Sequence, residues 1–132
     1  MRIAPLGSGH AAEAARLLFD TFREPYPHAW PDLEAAHSEV AEALASDRIA
    51  LGAFAPDLVG WIGAIPQYET AGHATGWELH PLAVRPDRQR TGIGRALLGA
   101  LEAELASRGA TVVYLGTDDE TGVTLAANAS RL

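Results

Sequence analysis

The stretch WELHPLAVRPDRQRTGIGRALL, residues 77–98, changes character twice. It begins like a strand, with Leu79, Leu82 and Val84 among bulky neighbours, and Pro81 interrupts it. An arginine-rich turn carrying Gly92 and Gly94 follows, and then an Ala/Leu helix. Proline gives no N–H to a β-ladder and is rare in central strands. A break at Pro81 therefore predicts a strand that splays from one neighbour and leaves backbone donors, such as the Leu82 N–H, facing a cleft. The competing reading is an edge strand with a harmless proline; against it, the segment is apolar on both faces. At the start of the following helix, the first-turn N–H groups are unpaired and carry partial positive charge. Glycines let such backbone approach a phosphate closely, and Arg90 and Arg95 add charge. The turn reads as a site for a phosphate-bearing cofactor. A P-loop needs Gly-Lys-Ser/Thr, and a dinucleotide fingerprint needs a third glycine where Leu97 stands. A lone Gly-x-Gly is equally compatible with a tight turn that merely feeds a helix.

Outward from this stretch, the pattern continues in both directions. RIAPL (2–6) reads as a first strand, and residues 10–22 have helical spacing, with Ala14, Leu17, Leu18 and Phe22 on one side and Ser8 as a cap. REPYPHAWP (23–31) is a proline-broken loop, and Asp32 opens a second helix buried through Ala36, Val40 and Leu44. RIALGAFA (48–55) and LVGWIGAI (58–65) flank a Pro56-Asp57 turn and predict a hairpin. Residues 65–76 read as a loop. Gly109 is placed to stop the helix that Gly92 starts, and TVVYLG (111–116) is one more strand. The tail from Thr121 has little pattern.

Composition bounds the function. A length of 132 residues suits a single domain, 1–132, with one core. Hydrophobic content of 48% with 20% charged residues is that of a soluble globular chain. With no cysteine there is neither a disulfide framework nor a thiol nucleophile. No apolar run approaches spanning length and the start lacks a signal-type h-region, so a cytoplasmic location without a membrane partner is expected. A formal net charge of −7 argues against nucleic acid as partner. It suits a cationic substrate, though acidity also serves solubility alone. No His/Asp/Glu cluster has metal-ligand spacing, and no metal is expected.

The splayed strand followed by Gln89-x-x-Gly92-x-Gly94 and a helix resembles the GNAT superfamily of acyl-CoA N-acetyltransferases. GAIPQY (63–68), GWELHPLAV (76–84) and YLGTDDE (114–120) further resemble its aminoglycoside 6′-N-acetyltransferases. The resemblance is strong over 48–120 and looser before. It implies an α/β (α+β) fold: a mixed, mostly antiparallel sheet, splayed at its fourth strand and flanked by helices. It implies acetyl-CoA as co-substrate, with Leu82 and Val84 on the pantetheine arm and Gln89, Arg90, Gly92, Gly94 and Arg95 at the pyrophosphate. The Leu82 N–H would polarise the thioester carbonyl, and Glu78 would take a proton from the acceptor amine; both are the expected catalytic groups. Without the resemblance, Glu78 reads as an outward strand residue on a solvated face. His80 is the rival base, although a satisfied structural histidine is the ordinary reading on a buried strand.

A cationic aminosugar is the implied partner. Asp118 and Asp119, after a buried strand, suit its ammonium groups, as they would also suit a turn. Trp30, Tyr26 and Tyr68 lie in segments read as loops and are expected to form the wall for the sugar rings; loop aromatics also fold back onto cores. Members of this family continue past the acidic segment through a further helix with an aromatic run and two more strands, and a tyrosine there is the acid for the leaving thiolate. This chain carries no such segment, so a C-terminally shortened fold is expected, with an open edge at strand five and a homodimer across it. The activity expected is transfer of acetyl to the 6′-amine of an aminoglycoside, conferring antibiotic resistance. The alternatives are a GNAT enzyme for another amine, or a binding module without turnover.

Overall fold

Six strands make one sheet in simple chain order: β1 (Arg2–Pro5), β2 (Ile49–Phe54), β3 (Leu58–Thr70), β4 (His73–Val84), β5 (Val112–Leu115) and β6 (Ala129–Arg131). The computed structural model describes residues 1–70, 73–115 and 129–131. Neighbouring strands are antiparallel except β4 and β5, which are parallel and joined through α3 (Ile93–Ser107). Between β1 and β2 come α1 (Ala11–Phe22) and α2 (Leu33–Ala43). The sheet is thus mixed and mostly antiparallel, with helices flanking it, as the sequence led us to expect.

Each face of the sheet carries its own apolar core. Ala14, Leu17 and Leu18 of α1 and Ala36 and Val40 of α2 pack with Phe54, Leu58, Trp61 and Ala83. Leu97, Leu101 and Leu105, one turn apart along α3, pack with Ala53, Ile62, Ala64, Trp77, Leu79 and Val113 on the other. Alternate strand residues supply the two faces, as the period of two demands. Trp61 is fully buried, and its indole Nε1 donates to the Ala14 carbonyl at 3.1 Å, which ties α1 to the sheet without leaving a polar atom orphaned.

Local signals set the helix ends. The Asp32 carboxylate accepts from the Ala35 N–H at 2.8 Å, so the second helix is capped as read. Gly109, at φ +82°, follows α3 and ends it. Ser8 is no cap: it lies in a short 3-10 turn, and α1 begins only after His10, whose Nδ1 accepts from the Gly7 N–H at 3.0 Å.

Two expectations need correction. Residues 65–70 and 73–76 are strand rather than loop: the ladder continues, pairing Ile65 with Glu78, Pro66 with Trp77 and Gln67 with Gly76. Pro66 is tolerated because β2 pairs with β3 only as far as Ala64, so that side of β3 is already an edge. The edge at β5 is not open either: β6 pairs antiparallel with Val112–Tyr114. The expectation of a second copy across that edge loses its ground.

Candidate functional site

Strand β4 is the axis of the site, and its register explains how. Its pairing with β5 spans Gly76–Leu79 and stops there. Against β3, Leu79 stands opposite Ala64 but Leu82 stands opposite Ile62, so β4 carries one residue more than its neighbour between these pairs. The bulge holds His80 and Pro81. Gly63 accommodates it: a Cβ there would lie 2.7 Å from the His80 carbonyl oxygen, which no side chain permits. Trp77 and Leu79 face the α3 side, and beyond the bulge Leu82 and Val84 pack against that same side. Glu78 and His80 therefore face α1 and α2.

On the α3 side, the splay opens a cleft of about 650 Å³ lined by Leu82, Val84, Gln89, Arg90, Gly92, Gly94, Arg95 and Leu98. The seven residues expected at the cofactor come together there. Leu98, which reads as ordinary helix core, joins them. Gly92 starts α3 at φ +93°, in the left-handed region, and offers no side chain as a cap. The first intrahelical bond is Ala96 N–H to the Gly92 carbonyl at 3.0 Å, which leaves the preceding amides of the turn for an outside acceptor. Arg90 also has positive φ, 64°, rare for a side-chain-bearing residue. The turn is held by Gln89, whose Nε2 donates to the Val84 carbonyl at 3.1 Å, and by Thr91, whose hydroxyl donates to the Arg88 carbonyl. Arg90 and Arg95 are exposed and make no ion pair among the described residues. Uncapped helix amides with two uncommitted guanidinium groups fit a diphosphate.

On the opposite face, Glu78 is half-buried between Ile65 of β3 and Tyr114 of β5. Two residues on, His80 is held: its Nε2 lies 2.9 Å from Glu39 Oε1 of α2, and its ring centroid is 5.8 Å from that of Trp30. The Nε2–Oε1 approach meets the distance for a hydrogen bond but not its alignment, and it is an ion pair when the imidazole is protonated. The closeness of His80 is the largest influence on Glu39 and holds its carboxyl below the usual range; burial opposes this, and the charge of Arg48 reinforces it. Arg48 stands just before β2 with its side chain only 11% exposed; among the described residues it makes a 3.9 Å ion pair with Glu42, and its Nε and Nη2 find no hydrogen-bond partner. Glu39 and Arg48 escaped the sequence reading. Nothing in the helical pattern separates Glu39 from its solvated neighbours, because its partner lies on a distant strand.

The expected aromatic wall is placed differently. Trp30 is 9% exposed and packed in the core against Phe22, 5.2 Å between centroids, because burying the indole removes more apolar surface than leaving it on a loop. Only its contact with His80 brings it to the site. Tyr26 stays 47% exposed. Tyr68 belongs to β3 rather than to a loop. Asp118 and Asp119 lie outside the described residues. Among the described residues no group of three or more acidic or histidine side chains could hold a metal ion, and no helix is long and apolar enough to cross a membrane.

Comparison with known proteins matches this architecture. A crystal structure of an aminoglycoside 6′-N-acetyltransferase with coenzyme A superposes with a TM-score of 0.73 at 41% identity, over 90% of this chain and 63% of the other. The aminoglycoside 6′-acetyltransferase type Ii is also 41% identical, with a TM-score of 0.72, over 90% of this chain and 73% of its own. A GNAT acetyltransferase from Brucella melitensis, in complex with acetyl-CoA, is 26% identical with a TM-score of 0.69. The chain therefore spans 63% of the length of the first of these. A comparison with curated protein sequences gives no match. The model of the acetyltransferase (GNAT) family matches residues 12–125, nearly the whole chain. With the splayed strand, the uncapped glycine turn and the basic cleft all inside that match, the chain belongs to the GNAT acetyltransferase family.

Proposed function

We propose that this chain transfers the acetyl group of acetyl-CoA to the 6′-amine of an aminoglycoside, and thereby protects against the drug in the cytoplasm. The observation that carries the reading is the position of Glu78 and Leu82 on either side of one bulge, one toward α2 and one toward the basic cleft. The 41% identity to aminoglycoside 6′-N-acetyltransferases supports the choice of acceptor.

In this reading the diphosphate of acetyl-CoA sits on the first-turn amides of α3, with Arg90 and Arg95 beside it and Gly94 leaving room. Leu82 and Val84 guide the pantetheine arm, which brings the thioester to the splay. The acceptor enters from the α2 face as an ammonium, drawn by Glu78. Glu78 takes one proton, directly or through water, and frees the nitrogen lone pair. The nitrogen attacks the thioester carbon, negative charge collects on the carbonyl oxygen, and the Leu82 N–H stabilises it. The tetrahedral intermediate collapses, the C–S bond breaks, and the nitrogen gives its remaining extra proton to solvent, leaving the amide and the CoA thiolate. Holding both reactants at one gap supplies much of the acceleration.

The test is CoA release from acetyl-CoA with and without 6′-amino aminoglycosides, with the product weighed by mass spectrometry. Drug-dependent release and one added acetyl group are expected. Glu78→Gln should lower kcat on the order of a hundredfold while changing acetyl-CoA binding little. Release with polyamines or peptide amines alone would overturn the choice of acceptor. Binding of both ligands without product would overturn catalysis.

A further inference from the structure

We propose that Glu39 is a positioning residue for acetyl transfer: it acts through His80, fixing the imidazole and its charge at the splay between Glu78 and Leu82. The inference rests on the function proposed above. It starts from a contact that the fold alone does not require. The α2 helix already packs on the sheet through Ala36, Val40 and Ala43. Glu39 adds a charged group to that packing, and its side chain is only 13% exposed. Removing a carboxylate this far from water is costly unless it is paired. Its partner is His80 Nε2 at 2.9 Å, and the Arg48 charge adds to the same effect.

His80 is thereby constrained from several directions. Glu39 holds its ring edge, Trp30 lies at 5.8 Å from its ring, and its carbonyl is packed where Gly63 leaves no space for a Cβ. His80 is also the first residue of the bulge, two residues beyond Glu78 and two before Leu82. A side chain clamped there fixes the backbone that aims both groups. Among the described residues, the charged and titratable groups on the elements beside it are Glu39 and Glu42 from α2, Arg48 before β2, Glu78 on β4 and Tyr114 on β5; β3 contributes Ile65 and Gly63. Of these, Glu39 is the anion in contact with the imidazole, so it favours the protonated ring.

A merely structural ion pair would affect stability alone. A positioning pair also moves turnover and its pH dependence. Glu39→Gln keeps the shape and removes the charge. The expected result is a roughly tenfold lower kcat with the KM for acetyl-CoA changed less than twofold. The limb of the pH–kcat profile that follows His80 should move about one unit toward acid, since the imidazolium loses its counter-charge. Glu39→Asp should restore part of both. The His80 ring resonance, assigned by its loss in His80→Asn, should titrate about one unit lower in Glu39→Gln than in the unaltered chain. A lower melting temperature with unchanged kcat, profile and titration would overturn the proposal. If the unaltered chain acetylates no amine, the proposed function fails on its own. The NMR titration still judges the pair in that event: a shifted midpoint supports it, and an unshifted midpoint overturns it.

Discussion

At Gly63 a single hydrogen atom decides whether the bulge can form. Because a Cβ would meet backbone oxygen at 2.7 Å, Gly63→Ala must displace β4 itself rather than a flexible side chain. We expect a loss of about 1–3 kcal/mol, read as a lower denaturant midpoint, and a fall in kcat beyond that loss because the splay moves with it. Arg90 tests the opposite balance. Its left-handed conformation costs a side-chain-bearing residue about 1 kcal/mol, so Arg90→Gly should leave stability unchanged or slightly raised. The same change removes a cation from the cleft, and the KM for acetyl-CoA should rise several-fold. Residues of this kind were legible in the sequence, because a glycine turn at a helix start encodes its own conformation within a few positions. Glu39 and Arg48 were not, since their meaning depends on a strand formed far along the chain. Trp30 was misplaced for a related reason: a proline-broken segment signals a loop but not which way its aromatic side chain turns.

Elements repeat the lesson at larger spacing. The α3 helix was readable from Leu97, Leu101 and Leu105, and it docks through those residues. Leu101→Ala should cost about 2–5 kcal/mol in unfolding free energy, since the side chain is fully buried and α3 is the main cover of its face. The β3–β4 hairpin was under-read. Pro66 and Gly76 look like loop chemistry, whereas cross-strand pairing overrides them. The second helix adds a pH dependence. Glu39 has its carboxyl held low in the folded chain, so the unfolded chain binds that proton at higher pH. The stabilisation is therefore present above the ordinary carboxylate range, about pH 4, and is lost as pH falls through the lower folded value. Urea midpoints of the unaltered chain and Glu39→Gln should differ at pH 7 and converge toward pH 3.

For the whole molecule, net charge sets the long-range field. A net charge of −7 favours the approach of the polycationic acceptor proposed above, while Arg90 and Arg95 give the cleft the opposite sign. Salt should therefore lower kcat/KM for a multiply charged aminoglycoside, and lower it less for a monoamine; initial rates between about 0.02 and 0.5 M salt check this. The mixed, mostly antiparallel sheet was legible through the family resemblance over residues 48–120, since periodicity places elements along the chain but does not order strands across a sheet.

The extra residue between Leu79 and Leu82 has a further consequence. Along β4, the odd-numbered Trp77 and Leu79 point toward α3 before the bulge and the even-numbered Leu82 and Val84 after it. The strand thus changes parity between its two halves, and the two reactants are served by halves of opposite parity. Deleting one residue there would restore regular pairing with Leu82 still opposite Ile62: the side chains would keep their faces, and the splay would be lost. What the strand must keep between Glu78 and Leu82 is a count: substitutions that preserve it cost increments, and an insertion or deletion costs the site.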